Sequence, residues 1–182
     1  MVDMSQFDGY EKATFAGGCF WCIEPAFEEL DGVVEAITGY AGGAEEDANY
    51  YAVVSGKTGH REAVEVFYDP QKVQYEDLLK VFWRQIDPTD AGGQFTDRGS
   101  GYKTAIYYHN ESQRVLAQKS KDDLIMSGKF DKPIVTEVLP FSTFFPAEDD
   151  HQGYYKKRAL HYQLYKAGSG REGFINENWY KN

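Results

Sequence analysis

Only two of the 182 residues are cysteine, Cys19 and Cys22, which excludes a small scaffold stapled by several disulfides. Positive charge is also short. Nineteen Lys and Arg against 29 Asp and Glu leave a net charge of −10, which disfavours binding to a phosphate backbone. The one basic cluster, Lys156-Lys157-Arg158, reads as a solvated helix face. No apolar run approaches the ~20 residues of a membrane span, and residues 1–12 are polar, without the apolar core of a secretory leader. A metal site is not expected. One C-x-x-C supplies two ligands, and His60, His109, His151 and His161 show no paired spacing. These absences point to a cytoplasmic chain, a single domain over residues 1–182 that acts as a monomer. Residues 1–12 are expected as an N-terminal extension and 166–182 as an irregular tail. The length suffices for a substantial core.

Apolar periodicity sets out strands and helices in alternation. Short strands are expected at Ala13–Ala16, Val33–Tyr40, Arg61–Tyr68, Lys103–His109 and Ile134–Leu139. Helices are expected at Cys22–Leu30, Tyr75–Ile86, Glu111–Ser127 (capped by Asn110) and Asp150–Tyr165. Residues 44–55 read mainly as loop with one short element, and 87–101, rich in Gly, Asp and Thr, as a long irregular stretch of the kind that often carries function. The fold class is therefore α/β or α+β with a mixed central sheet.

The cysteines stand in Gly17-Gly18-Cys19-Phe20-Trp21-Cys22, where a strand gives way to a helix. Unpaired N–H groups and the helix dipole favour a thiolate there, whereas an ordinary thiol of pKa about 8.5 is only slightly ionised near neutrality. Pro25 suits the first turn of such a helix. Residues three apart also share a helical face, close enough for a disulfide after modest adjustment. A buried, inert pair is the plain alternative, since cysteine is among the most buried residues. Three other segments hold candidate groups. Glu62, entering a strand in Thr58-Gly59-His60-Arg61-Glu62, is either a general acid with a raised pKa or a solvated strand-start residue. Asp97, in the long loop, either orients a site or caps a turn. The run Glu148-Asp149-Asp150-His151-Gln152 is largely explained as a helix start.

Taken together, five segments resemble the peptide methionine sulfoxide reductase family of the A type. They are Gly18-Cys19-Phe20-Trp21, Gly39-Tyr40-Ala41-Gly42-Gly43, Ser55 to Glu62, Asp97-Arg98-Gly99-Ser100-Gly101-Tyr102 and Glu148 to Gln152, in the family's order over about residues 13 to 165. The resemblance implies a two-layer sandwich with a ferredoxin-like core and reduction of methionine S-sulfoxide, free or in proteins. It implies Cys19 as nucleophile, Glu62 as acid, and Tyr50 and Tyr102 as hydroxyl donors to the sulfoxide oxygen. Phe20 and Trp21 would receive the substrate methyl group, with Asp97 and Tyr154 as further pocket residues. No cofactor is implied beyond a dithiol reductant, usually thioredoxin, in a role of protein repair under oxidative stress.

The chain departs from many members in two ways. Its tail, from Gly168 to Asn182, lacks the usual resolving cysteines, and Cys22 follows GCFW where glycine is common. The resemblance therefore implies a Cys19–Cys22 disulfide as the recycling intermediate. Gly101 and Phe95 also stand where glutamine and glycine are common. Two other readings compete: a thioredoxin-like disulfide oxidoreductase, which shares the strand–CxxC–helix pattern, and a non-enzymatic module that binds methionine sulfoxide or a peptide in an aromatic cage.

Overall fold

A computed structural model describes residues 2–180. In chain order the elements are β1 (Glu11–Ala16), α1 (Phe20–Glu28), β2 (Val33–Ala41), α2 (Tyr50–Val54), β3 (Arg61–Tyr68) and α3 (Tyr75–Gln85). A short hairpin, β4 (Gly93–Gln94) and β5 (Asp97–Arg98), precedes β6 (Ala105–Tyr108), α4 (Glu111–Met126), β7 (Glu137–Pro140) and β8 (Phe144–Pro146). The chain then turns through α5 (Tyr154–Lys157), α6 (Ala159–Gly168) and α7 (Arg171–Ile175).

Six strands form one mixed sheet in the order β7-β6-β1-β3-β2-β8. Every neighbouring pair is antiparallel except β6–β7, which is parallel. Within it, β1-α1-β2-β3-α3-β6 with strand order β6-β1-β3-β2 is the ferredoxin-like arrangement the resemblance implies. The strands alternate as a half-covered sheet requires. Phe15 of β1 and Val64 and Val66 of β3 face the helices, where they pack with Phe27, Leu78 and Phe82 in the main core. Phe15 stacks on both Phe27 and Phe82, with centroids 5.0 and 5.1 Å apart. Burying each such side chain contributes roughly 1.5–3 kcal/mol. Ala16, Ala63 and Ala105 face the opposite side, covered by Phe141 and Phe144 from the segment around β7 and β8.

Close approach on that edge is specific at Gly39, which pairs with Pro146. A Cβ there would lie 2.3 Å from the Phe145 carbonyl oxygen and 2.5 Å from Phe144 Cζ. Gly39→Ala should therefore lose about 1–3 kcal/mol of stability, read as a lower urea midpoint with an unchanged slope. An unchanged midpoint would show that β8 moves aside freely.

The structure departs from the sequence-based expectations at the end of the chain. The helix expected over 150–165 is two helices, broken at Arg158, whose ψ of 44° leaves the helical region. The tail expected to be irregular is helical: α6 runs on to Gly168, α7 follows, and a π-helical turn covers Asn176–Tyr180. Its order comes from packing. Arg171 and Ile175 are buried, and Phe174 stacks on Phe130. The short element expected within the loop of residues 44–55 is α2, and a smaller difference is the last strand of the parallel pair, which begins at Glu137 rather than Ile134.

Candidate active site

In the antiparallel β1–β3 register Phe15 faces Val64, so the end of β1 meets the start of β3. Two residues of β3 earlier, on the same face as Val64 and Val66, stands Glu62. A short step beyond β1 stands Cys19. Strand register alone thus carries the nucleophile candidate and the carboxyl candidate to one end of the sheet. Gly17-Gly18 turns the chain from strand to helix. Gly18 has φ of +81°, and a Cβ on it would lie 2.6 Å from Gln94 Cβ, so both conformation and space require glycine.

Cys19 is the N-cap of α1 and Cys22 lies in its first turn, with Cys22 N–H donating to the Cys19 carbonyl at 3.1 Å. Pro25 is not in the first turn, as the sequence suggested, but sixth in the helix, where its missing N–H forgoes a bond to the Trp21 carbonyl. Glu62 is buried, and its Oε2 accepts from the N–H of Phe20, the first helical residue, at 3.0 Å. Burial drives its pKa up to about 8, against the pull of that N–H and of a hydrogen bond from Tyr102, so the carboxyl is neutral at pH 7.

A cavity of about 100 Å³ opens between these groups, lined by Cys19, Phe20, Trp21, Tyr50, Glu62, Asp97, Tyr102 and Tyr165. A larger hollow of about 640 Å³, by Leu79, Trp83 and Leu116 on α3 and α4, contains neither cysteine. Tyr50 opens α2, held by the Asn49 cap and by Glu148, whose Oε1 accepts from the Tyr50 N–H at 3.0 Å. Glu148 Oε2 accepts from the Tyr40 hydroxyl at 2.6 Å. Burial raises the Tyr50 hydroxyl to about 12 and also raises that of Tyr102, so both are proton donors at neutral pH. Phe20 and Trp21 form the apolar side.

Seven of the nine residues expected from the sequence line this cavity. Cys22 lies behind Cys19, and Tyr154 also stands outside, its ring flat on Trp21 at 3.9 Å and 9°. The sequence reading missed Tyr165, on α6, whose hydroxyl donates to Asp97 Oδ2 inside the cavity. It also missed His151, which accepts from the Trp21 indole N–H at 3.2 Å and stacks on Tyr50 at 4.5 Å. His151 lies in the Glu148 to Gln152 run that the sequence marked, although no role was read for it; for Tyr165 the available sign was the density of tyrosines around 154–165.

The two thiols hydrogen-bond each other. Burial and the neighbouring Cys22 push the Cys19 thiol up, while the hydrogen bond from Cys19, then the Arg171 charge, pulls Cys22 down. Burial thus opposes the thiolate that the helix start led one to expect at Cys19, and the hydrogen bond between the thiols is a path by which its proton can leave. Among the described residues no cluster of three or more His, Cys, Asp or Glu side chains is arranged to hold a metal ion. Among the described residues no helix is long and apolar enough to cross a membrane.

A family model described as peptide methionine sulfoxide reductase matches residues 11–182. The peptide methionine sulfoxide reductase MsrA of Bacillus subtilis is 54% identical over 169 residues, which span 93% of this chain and 96% of that protein. The chain belongs to the MsrA family. Its activity is that of a peptide-methionine (S)-S-oxide reductase. Mxr1 from Saccharomyces cerevisiae in reduced form superposes with a TM-score of 0.77 at 29% identity, covering 87% of this reductase and 90% of Mxr1. Mxr1 in complex with Trx2 gives a TM-score of 0.54 at 23% identity over 85% and 88% of the two chains.

Proposed function

We propose that the reductase works through Cys19 as nucleophile, Glu62 as acid and Cys22 as resolving thiol. The observation that carries this reading is the neutral, buried Glu62 carboxyl sharing one small aromatic cavity with Cys19. A methionine sulfoxide enters with its methyl group against Phe20 and Trp21 and its oxygen towards Glu62, Tyr50 and Tyr102. The tyrosine hydroxyls polarise the S–O bond as charge gathers on oxygen. Cys19 sulfur, having passed its proton to Cys22, takes the oxygen while Glu62 supplies a proton. The S–O bond breaks, methionine leaves as a neutral thioether, and Cys19 is left as sulfenic acid. Asp97, tied to Tyr165, holds the cavity wall, and Tyr154 keeps the Trp21 ring in place by stacking.

Cys22 then attacks the Cys19 sulfur. The proton on Cys22 leaves with the sulfenic hydroxide as water, and a Cys19–Cys22 disulfide remains: two thiols have lost two electrons to the sulfoxide. A dithiol must return those electrons, and thioredoxin fits that role, supported by the yeast relative solved with Trx2. Repair of oxidised protein in the cytoplasm by a monomer is the corresponding setting. The disulfide-oxidoreductase alternative and the passive-cage alternative leave the Glu62 carboxyl without a task.

The resolving step has a direct test. Cys22→Ser, mixed with excess sulfoxide and thioredoxin, should release one methionine per enzyme and then turn over at least tenfold more slowly than wild type. Undiminished turnover would remove Cys22 from the cycle.

A further inference from the structure

Glu24 is a carboxyl that the reaction does not use, yet it is only 1% exposed. It stands on α1 three residues after Trp21 and four before Glu28, so the three side chains share one face of the helix. That face meets residues 151–156, the segment that leads into α5, contact by contact. The Trp21 indole donates to His151, and its ring lies against Tyr154. Glu24 Oε1 accepts from the Gly153 N–H at 2.8 Å. Glu28 Oε2 accepts from the Tyr155 hydroxyl and from Lys156.

The Glu24 contact differs from its neighbours in that it grips main chain. Gln152, the residue before, is fixed separately: its side-chain oxygen accepts from the Thr38 N–H at 3.0 Å and its amide donates to the Thr38 carbonyl at 2.8 Å. The Gly153 N–H belongs to the peptide plane that joins Gln152 to Gly153, so Glu24 sets the tilt of that plane. Gly153 then turns the chain in the left-handed region, with φ of +58°, and the next residue is Tyr154. The Tyr154 ring is stacked on Trp21 at 3.9 Å and 9°, and Trp21 lines the cavity that holds Cys19. Three short links thus run from Glu24 to the apolar wall of the site.

Stability gives no reason for a carboxyl here. Glu24 Oε2 is buried without a hydrogen-bond partner, and an unsatisfied buried polar atom is a net cost. Burial pushes the carboxyl up to about 8, against the pull of the Gly153 N–H, so it is neutral at pH 7 and avoids the greater cost of a buried charge. What the side chain supplies is one acceptor in a fixed place.

We propose that Glu24 is a positioning residue for substrate binding: its bond to the Gly153 N–H holds Tyr154 flat on Trp21 and so fixes the wall against which the substrate methyl group packs. The proposal rests on the reading of Trp21 as that wall. Glu24 does not itself line the cavity, so its loss should weaken capture of the sulfoxide more than the chemical step.

Release of the first methionine from the reduced enzyme, followed against the concentration of free methionine S-sulfoxide, separates a half-saturation concentration from a limiting rate. Glu24→Met keeps the length and apolar packing of the side chain and removes the acceptor. It should raise the half-saturation concentration about tenfold and lower the limiting rate by less than about threefold. Glu24→Gln keeps the acceptor and, like the neutral carboxyl, carries no charge; it should restore both values to within about twofold of wild type. Tyr154→Leu should weaken half-saturation by a similar factor, and adding Glu24→Met to it should change little, because both act through one ring stack. A Glu24→Met enzyme that saturates like wild type, a Gln variant as weak as Met, or losses that multiply in the double variant overturn the proposal. Should Glu24→Met fail to fold, Glu24→Asp, which withdraws the oxygen by one methylene, takes its place with the same expectations. Trp21→Leu tells the two readings apart. If it saturates like wild type, Trp21 is not the wall and the binding reading fails; if it binds weakly while Glu24→Met does not, only the role of Glu24 fails.

Discussion

Cys19→Ser should form no methionine at all, not even the single equivalent expected from Cys22→Ser. The reason is chemical before it is structural. The step requires an atom that can accept oxygen and be oxidised by two electrons, and a serine oxygen can do neither under these conditions. Cys22 remains in this variant, but it cannot substitute. It lies outside the cavity lining, is 1% exposed, and is packed with Tyr162. Cys19 and Ser are close in volume, and Cys19 makes no side-chain capping bond to the helix that the hydroxyl would disturb. The variant should therefore fold, bind sulfoxide and stay inert. Acid-quenched single turnovers, with methionine quantified against enzyme concentration, decide the matter. One equivalent formed by Cys19→Ser would move the chemistry to Cys22 and dismantle the proposed sequence of steps.

Glu62→Gln should lower the rate of the first methionine by about 10²–10⁴, the range expected for loss of a general acid. Glutamine keeps an oxygen to accept from the Phe20 N–H, so the geometry of the helix N-terminus is preserved and the lost function is the proton. In the wild type this rate should fall as pH rises through about 8, where the buried carboxyl ionises. In the variant that limb should vanish. The same substitution should act on stability with a defined sign. The folded pKa of Glu62 is raised above its unfolded value, so the stability it contributes is full below about 4.5 and is lost as pH rises through about 8. Above that, the wild type carries a buried carboxylate and the variant does not. Glu62→Gln should therefore be more stable than wild type by about 2–4 kcal/mol at pH 9 and nearly equal to it at pH 5. Glu24, also raised to about 8 by burial, is common to both proteins and cancels in the comparison. Urea midpoints at the two pH values test this. A variant that is inactive but equally stable at both would mean that Glu62 reaches water and ionises freely.

Much of the site was legible because its parts sit next to turns that only a few residue types allow. Gly17-Gly18 before Cys19 announced a sharp strand-to-helix transition, and the alternation of Glu62, Val64 and Val66 placed the carboxyl on the apolar face of its strand. The tyrosine contributed by α6 was less legible. Tyr165 reads locally as one more aromatic on a helix. Its place beside Asp97, 68 residues earlier in the chain, depends on how α6 lies across the cavity mouth. Arg171 was hidden for the opposite reason. An arginine in a Gly-rich, polar stretch looks solvated, and its complete burial follows from contacts with β1, α3 and the Phe95 loop.

By itself, the sequence determined the chemistry available: two thiols three residues apart at a helix start, one carboxyl on a strand of alternating burial, and a net charge of −10. Those properties are local, set by residue type, backbone conformation and a period of two or 3.6. The tertiary structure alone decided which groups share the cavity, what protonation state they hold there, and that the tail is ordered against the turn before Cys19. The physical reason is that burial and proximity belong to the packed chain. A carboxyl becomes an acid at pH 7 only when long-range contacts remove water from around it, and no stretch of sequence carries that information within itself.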